Sequence, residues 1–214
     1  MVLSDLTLLL YYIFSILNTI SVFSIFTTLF IDFTIYGSKA TIKKSKRSFV
    51  ATGSMLSFYG IYFAFMQLHL GAFSFANRSQ IEFYLNAASI VLATFLVVTG
   101  ATINILGRLR LSDNWANQIK IYKEHTLVTE GVYKLIRHPL YTALILFFAG
   151  GSLAYKNILC AALTLFIFVP FISYRAKQEE KLLLDEFLEY EKYMQKTGML
   201  LPKISNIKQI IKNS

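Results

Sequence analysis

The sequence predicts an all-α integral membrane protein with about five transmembrane helices, and three observations predict it. Apolar residues make up 55% of the 214-residue chain, a membrane-class composition. Three uncharged runs, Leu6–Ile31, Phe49–Phe75 and Phe83–Gly107, each exceed the roughly 20 residues needed to cross about 30 Å of hydrocarbon. Of the 21 lysines and arginines, 19 fall into three stretches: between the first and second runs, from the end of the third run to Arg137, and after Tyr174. Only Arg78 and Lys156 lie elsewhere, so the positive-inside rule puts the N-terminus outside and the C-terminus in the cytoplasm.

The first run lacks the basic flank and small-residue cleavage site of a signal peptide and reads as a true span. The loop Asp32–Ser48 is basic and rich in Ser, Thr and Lys, as a surface connector is. His69, near the outer end of the second span, reads as an interfacial or packed histidine. Gly100, Thr102 and Asn104, near the inner end of the third, read as helix–helix packing through small residues and polar groups. Two shorter apolar stretches, Leu140–Tyr155 and Asn157–Tyr174, are separated by Lys156 and predict a helical hairpin. Gly150-Gly151-Ser152 suits close packing within it. The last helix is predicted to leave the bilayer as an amphipathic continuation from Tyr174 to Met194, with Ala176, Leu183, Phe187, Tyr190 and Met194 near helical spacing, able to fold back over the cytoplasmic face.

The net charge of +9 invites a nucleic-acid reading, but no basic stripe interleaved with aromatics is present, and orientation plus anionic lipid accounts for the excess. Cys160 is the only cysteine, which rules out an intrachain disulfide and reads as a small packing residue. Three histidines, one cysteine and no His-Glu-x-x-His pattern provide no zinc cluster, and no metal is expected.

The chemistry gathers between Gly107 and Arg137, roughly thirty residues outside the membrane, too many for an idle connector. Trp115 there reads as an interfacial anchor. The run His125-Thr-Leu-Val-Thr-Glu-Gly-Val-Tyr133 leads into Arg137-His-Pro-Leu-Tyr141, where Pro139 is placed to open a helix. Arg137 and His138 would then sit at the cytoplasmic mouth of the fourth span, whose free N–H groups can hold an anion. Polar groups at a bilayer edge are costly without a partner. On the final helix Arg175 and Glu179 are four residues apart and project on the same side. By themselves these residues leave three readings open: an ordinary surface ion pair capping a non-catalytic bundle, a membrane reductase using NADPH, and a group-transfer enzyme.

Together, Trp115, the His125–Tyr133 run, Arg137-His-Pro-x-Tyr141, Glu179-Glu180 with Leu183, the Phe187, Tyr190 and Tyr193 pattern and Leu201-Pro202 resemble the isoprenylcysteine carboxyl methyltransferase family of integral membrane enzymes. The resemblance covers about Leu106 to Pro202. It implies S-adenosylmethionine as cofactor, with a pocket on Gln118, His125, Thr126, Leu127, Val128, Tyr133, His138, Pro139, Leu140, Tyr141 and Glu179. It implies Arg175 beside the methyl acceptor, with Arg175 and Glu179 as the catalytic pair. The implied acceptor is lipid-like or prenylated, and attack by its carboxylate would need no general base; alignment within about 3–3.5 Å and exclusion of water would do most of the work. On this resemblance residues 1–214 form one membrane domain: three spans over 1–106, a cofactor-binding catalytic half over 107–202 and a basic tail over 203–214. The membrane would be the plasma membrane in a prokaryote or the endoplasmic reticulum in a eukaryote. Two departures stand out. Ala143 replaces the glycine usual after Arg-His-Pro-x-Tyr-x, which is expected to narrow helix packing. Leu188 replaces the glycine usual after Phe187, with one residue fewer before Tyr190, which puts the register of the C-terminal helix in question.

Overall fold

The structure, a computed structural model, describes residues 2–36, 41–44, 48–73, 80–111, 120–122 and 126–203. Helices occupy all five predicted apolar stretches: α1 (Val2–Tyr36), α2 (Ser48–Gln67), α3 (Gln80–Leu111), α4 (Pro139–Ala154) and a final helical run from Ile158 to Glu186. Among the described residues, Gln80–Leu111 and Ile158–Glu186 are long and apolar enough to cross a membrane, while Leu8–Ser21 and Pro139–Ala154 are shorter apolar stretches. The second helix is shorter than the sequence implies. It ends at Gln67 in a turn where His69, exposed, takes a φ of 53°.

The closest packing is between α3 and α4, and glycines permit it. A Cβ on Gly100 would stand 2.9 Å from the Ala143 carbonyl oxygen. One on Gly150 would stand 2.8 Å from Val97 Cγ2 and 3.0 Å from the Ala93 carbonyl. The clearance that Ala143 was expected to reduce is thus supplied from the opposite helix, and Ala143 itself is buried. The small residues of α4 serve other helices than the predicted hairpin partner. Gly150 lies on α3, Gly151 faces the Tyr62 hydroxyl of α2, and that hydroxyl donates to the Phe148 carbonyl at 2.7 Å and lies 3.1 Å from Ser152 Oγ. Replacing Gly150 with leucine should force α3 and α4 apart at a cost of at least about 1–3 kcal/mol. The check is a lowered thermal midpoint in detergent, with Gly53→Leu, which meets open space, as the control.

Two apolar clusters fill the bundle. Phe58, Tyr62, Phe148, Cys160, Phe168 and Ile172 join α2, α4 and the final run, and Phe14, Ile90, Ala93, Val97 and Ala154 join α1, α3 and α4. Cys160 is fully buried, its Sγ 3.6 Å from the Tyr62 carbonyl, as a packing residue should be. Between α4 and the final run the chain reverses through Tyr155-Lys156-Asn157. Lys156 takes a φ of 47°, and the Asn157 side chain caps the next helix by accepting from Cys160 N–H at 2.9 Å.

The final run is not uniform. It comprises α5 (Ile158–Ala162), a π-helical turn (Leu163–Phe168) and α6 (Val169–Glu186). Pro170 accounts for the wide turn. An α-helical proline clashes with the carbonyl four residues back and leaves it without a donor, and widening relieves both. Accordingly, Val169 N–H reaches the Thr164 carbonyl, five residues behind it.

Two expectations are corrected. The chain is not wholly α-helical: β1 (Thr41–Lys44) pairs antiparallel with β2 (Lys120–Tyr122), joining the two basic loops into one ribbon whose second strand lies against α6. The amphipathic continuation is also not one helix. It breaks at Phe187, which is extended (φ −118°, ψ 109°), before α7 (Tyr190–Lys196) begins. Leu188 sits in the break, 99% exposed, so the register change falls on a connector rather than inside a helix.

Candidate active site

The site is built where α4 begins. Pro139 occupies the first turn, and His138 is the N-cap residue, with its carbonyl accepting from Tyr141 N–H and Thr142 N–H at 3.1 Å each. This start is buried because residues after α7 return as an extended segment against it. Arg137 N–H donates to the Gly198 carbonyl (2.8 Å), His138 N–H to Met199 (3.1 Å), and Thr142 Oγ1 to Leu200 (2.7 Å). Return over the mouth of α4 is therefore made by backbone at 197–200, not by a helix.

On α6, Arg175 and Glu179 do share a face, and a third residue ties them together. Arg175 Nε donates to Tyr141 Oη at 3.0 Å, and Tyr141 Oη donates to Glu179 Oε2 at 3.0 Å. Arg175 is buried, whereas the Glu179 side chain is 39% exposed and so open to a ligand. The His138 ring stacks on Tyr141, with centroids 5.4 Å apart and planes 9° from parallel. Its Nδ1 lies 3.6 Å from Glu179 Oε2 and its Nε2 3.3 Å from Glu180 Oε1.

Beside this stands a buried ion pair that the sequence reading did not single out. Arg137 Nε meets Glu180 Oε1 at 2.7 Å, with both side chains 8% exposed. The same guanidinium donates to the Met194 carbonyl at 3.2 Å and to the Thr197 carbonyl. Burial alone would raise the Glu180 carboxyl; hydrogen bonds and charge from His138 and Arg137 outweigh it and hold the group below its ordinary value. A carboxylate depressed in the folded state stabilises the fold above its unfolded pKa of about 4.3 and loses that contribution as pH falls through the folded value. The thermal midpoint of the wild type should therefore drop in acid more steeply than that of Glu180→Gln, which has no such proton to take up.

Tyr133 belongs to the same cluster. Its hydroxyl is pushed well above its ordinary range by burial and then by the charge of Glu179, and its carbonyl accepts from Tyr193 Oη at 2.7 Å. Other proposed pocket residues are placed differently. Pro139 and Leu140 turn their side chains toward α3, where a Cβ on Gly107 would stand 3.0 Å from Leu140 Cδ2 and 3.6 Å from Pro139 Cγ. Thr126, Leu127 and Val128 form a partly exposed stretch just ahead of the short turn Gly131–Lys134. Gln118, His125 and Trp115 lie outside the described residues. So the structure gathers Tyr133, His138, Tyr141, Arg175 and Glu179, and adds Arg137 and Glu180. The signal for Glu180 was its place beside Glu179 on α6, and for Arg137 its place beside His138 at the start of α4.

S-adenosylmethionine carries a cationic sulfonium, an ammonium and a carboxylate. The donor set fits the cationic groups through a reachable carboxylate at Glu179; the start of α4 is not the open anion site expected from the sequence, because the His138, Tyr141 and Thr142 N–H groups already have partners and Pro139 has none to give.

The model of the isoprenylcysteine carboxyl methyltransferase family matches residues 91–185. The chain is 27% identical over 179 residues to the protein-S-isoprenylcysteine O-methyltransferase of Saccharomyces cerevisiae, covering 82% of this chain and 75% of that one. It is 34% identical over 128 residues to the methanethiol S-methyltransferase of a Pseudomonas species, covering 59% of this chain and 46% of the relative. A solved structure of a eukaryotic intramembrane isoprenylcysteine carboxyl methyltransferase superposes with a TM-score of 0.51 at 23% identity, covering 76% of this chain and 55% of the other. The chain thus spans three quarters of the yeast relative and about half of the other two. Over residues 91–185, which hold every clustered side chain from Tyr133 to Glu180, the chain is similar to the isoprenylcysteine carboxyl methyltransferase family.

Proposed function

We propose that this chain is an S-adenosylmethionine-dependent methyltransferase of the membrane, acting on the carboxylate of a lipid-like or prenylated acceptor. The observation that carries the reading is the Tyr141 hydroxyl, held 3.0 Å from both Arg175 Nε and Glu179 Oε2. It places a buried cation and a ligand-accessible carboxylate at a fixed separation, one suited to an anionic acceptor and the other to a cationic donor.

Glu179, His138, Tyr133 and Tyr141 would hold the cofactor, with Gln118, His125, Thr126, Leu127, Val128, Pro139 and Leu140 completing the pocket, the last two through their backbone. When bound, the cofactor supplies an electrophilic methyl group. Arg175 would hold the acceptor carboxylate by charge-assisted hydrogen bonds, and its burial keeps water from competing for the same oxygen atoms. Fixed positions matter because such a displacement has no proton to move; its rate rests on alignment.

Five spans, with the N-terminus outside and the C-terminus cytoplasmic, fit this arrangement. The ribbon that joins the two basic loops supports placing both on one face, and the positive-inside rule makes that face the cytoplasmic one. The cofactor then enters from the cytoplasm, and a greasy acceptor enters sideways from the bilayer.

Purified protein should bind S-adenosylhomocysteine and, given labelled S-adenosylmethionine and a total lipid extract, should label an apolar carboxylic acid as a base-labile methyl ester. Thermal stabilisation by NADPH and not by S-adenosylhomocysteine would overturn the reading. A base-stable thioether product would move the acceptor to the thiol class of the Pseudomonas relative.

A further inference from the structure

Glu179 and Glu180 are consecutive, yet binding of the cofactor draws only on the first. On an α-helix neighbours diverge by about 100°, so the two side chains leave α6 in different directions. Glu180 is turned inward and buried, out of reach of anything entering beside Glu179. What connects them is the His138 ring, with Nδ1 3.6 Å from Glu179 Oε2 and Nε2 3.3 Å from Glu180 Oε1. One planar ring spans both carboxylates, and its face is fixed by the stack on Tyr141. On the far side, Glu180 Oε1 also takes Arg137 Nε at 2.7 Å, and Arg137 is anchored to the carbonyls of Met194 and Thr197.

We propose that Glu180 is a positioning residue for methyl transfer: paired with Arg137, it fixes the His138 ring, and that ring together with Tyr141 aims the Glu179 carboxylate at the methyl donor. The inference rests on the proposed binding of S-adenosylmethionine. Stability alone does not call for the pair, because a buried ion pair can be replaced by packed apolar residues without loss. An apolar pair, however, would leave His138 Nε2 with no acceptor and the ring free to turn about its side-chain torsions.

That difference sets the test, made on the full chain in detergent with S-adenosylhomocysteine as the probe. Glu180→Gln keeps size and hydrogen-bonding capacity but not charge, and it should weaken binding about tenfold or more, as small misplacements of a contact group do. The double replacement Arg137→Met with Glu180→Leu removes both charges together. It should keep a cooperative thermal transition, at a midpoint lowered by the lost Arg137 bonds to the Met194 and Thr197 carbonyls, while affinity stays reduced about tenfold or more. Wild-type affinity in a stable double variant, or in Glu180→Gln if the double variant does not fold, would reduce the pair to a structural tie and overturn the inference. Failure of the wild type itself to bind S-adenosylhomocysteine would instead overturn the cofactor reading, and this inference with it.

Discussion

Glu179→Ala is expected to abolish S-adenosylhomocysteine binding while leaving the protein folded. The carboxylate accepts from Tyr141 Oη and stands 3.6 Å from His138 Nδ1, so its orientation is set before any ligand arrives. Its side chain is nevertheless 39% exposed, more open than that of Glu180, and so available for contact. A charge-assisted contact to a cationic ligand is about twice as strong as a neutral one. Losing it should cost at least about a hundredfold in affinity, or about 2.8 kcal/mol. Stability should change little, by about 1 kcal/mol or less, because a partly exposed surface carboxylate contributes that much at most. Glu179→Gln separates charge from shape: it can still accept from Tyr141, and binding should stay weak if charge is what the ligand needs. Calorimetric titration of each variant, beside its thermal midpoint, gives both numbers. Wild-type affinity in Glu179→Ala would remove the residue from the site.

What the sequence carried and what it did not divides along sequence separation. Arg137-His-Pro-Leu-Tyr141 is a local motif, and proline at a helix start has one geometric meaning, so the mouth of α4 was legible from a handful of residues. Arg175 and Glu179 were legible as a same-face pair by helical spacing alone. Their common partner, Tyr141, is more than thirty residues away, and nothing in spacing announces it. Arg137 and Glu180 are 43 residues apart, and Thr142 and Leu200 are 58 apart. These contacts exist only once α4 and α6 are neighbours and the residues after α7 have turned back. The break at Phe187–Glu189 was hidden for a related reason. It contains neither proline nor glycine to mark it, and Tyr190 is buried just beyond it. The ribbon escaped because Thr41–Lys44 is a short, lysine-rich strand that finds its partner in a loop nearly eighty residues on. Pro170, in contrast, was in plain view; its consequence, a π-helical turn, comes from the missing N–H and needed only to be drawn.

Arg175→Ala should leave cofactor binding nearly intact and remove most turnover. Arg175 Nε is committed to Tyr141 Oη, and one such bond orients the whole planar guanidinium. The remaining nitrogens are those a carboxylate would use, and the group is buried, where a charge-assisted pair is screened little by solvent. With alanine there, an acceptor carboxylate would have to enter a low-dielectric site without a counter-charge, which is costlier than losing a contact. The expected loss in kcat/KM for an S-prenylated N-acetylcysteine is about a hundredfold to a thousandfold, comparable to removing one dominant electrostatic contact from an active site. S-adenosylhomocysteine affinity should shift by less than about threefold, since Tyr141 can still donate to Glu179 and the lost Arg175 bond is to Tyr141 rather than to the cofactor. Arg175→Lys should recover only part of the rate, because an ammonium can meet the acceptor or Tyr141 but does not present the flat fork that meets both. The same pair of variants distinguishes the acceptor classes suggested by the relatives. A small thiol has no carboxylate to hold, so Arg175→Ala would then change kcat/KM by less than about tenfold for methanethiol while lowering it about a hundredfold or more for the prenylated acid. Equal losses with both acceptors would show that Arg175 acts by ordering Tyr141 and Glu179 rather than by touching substrate, and the arginine would move from the catalytic group to the frame that supports it.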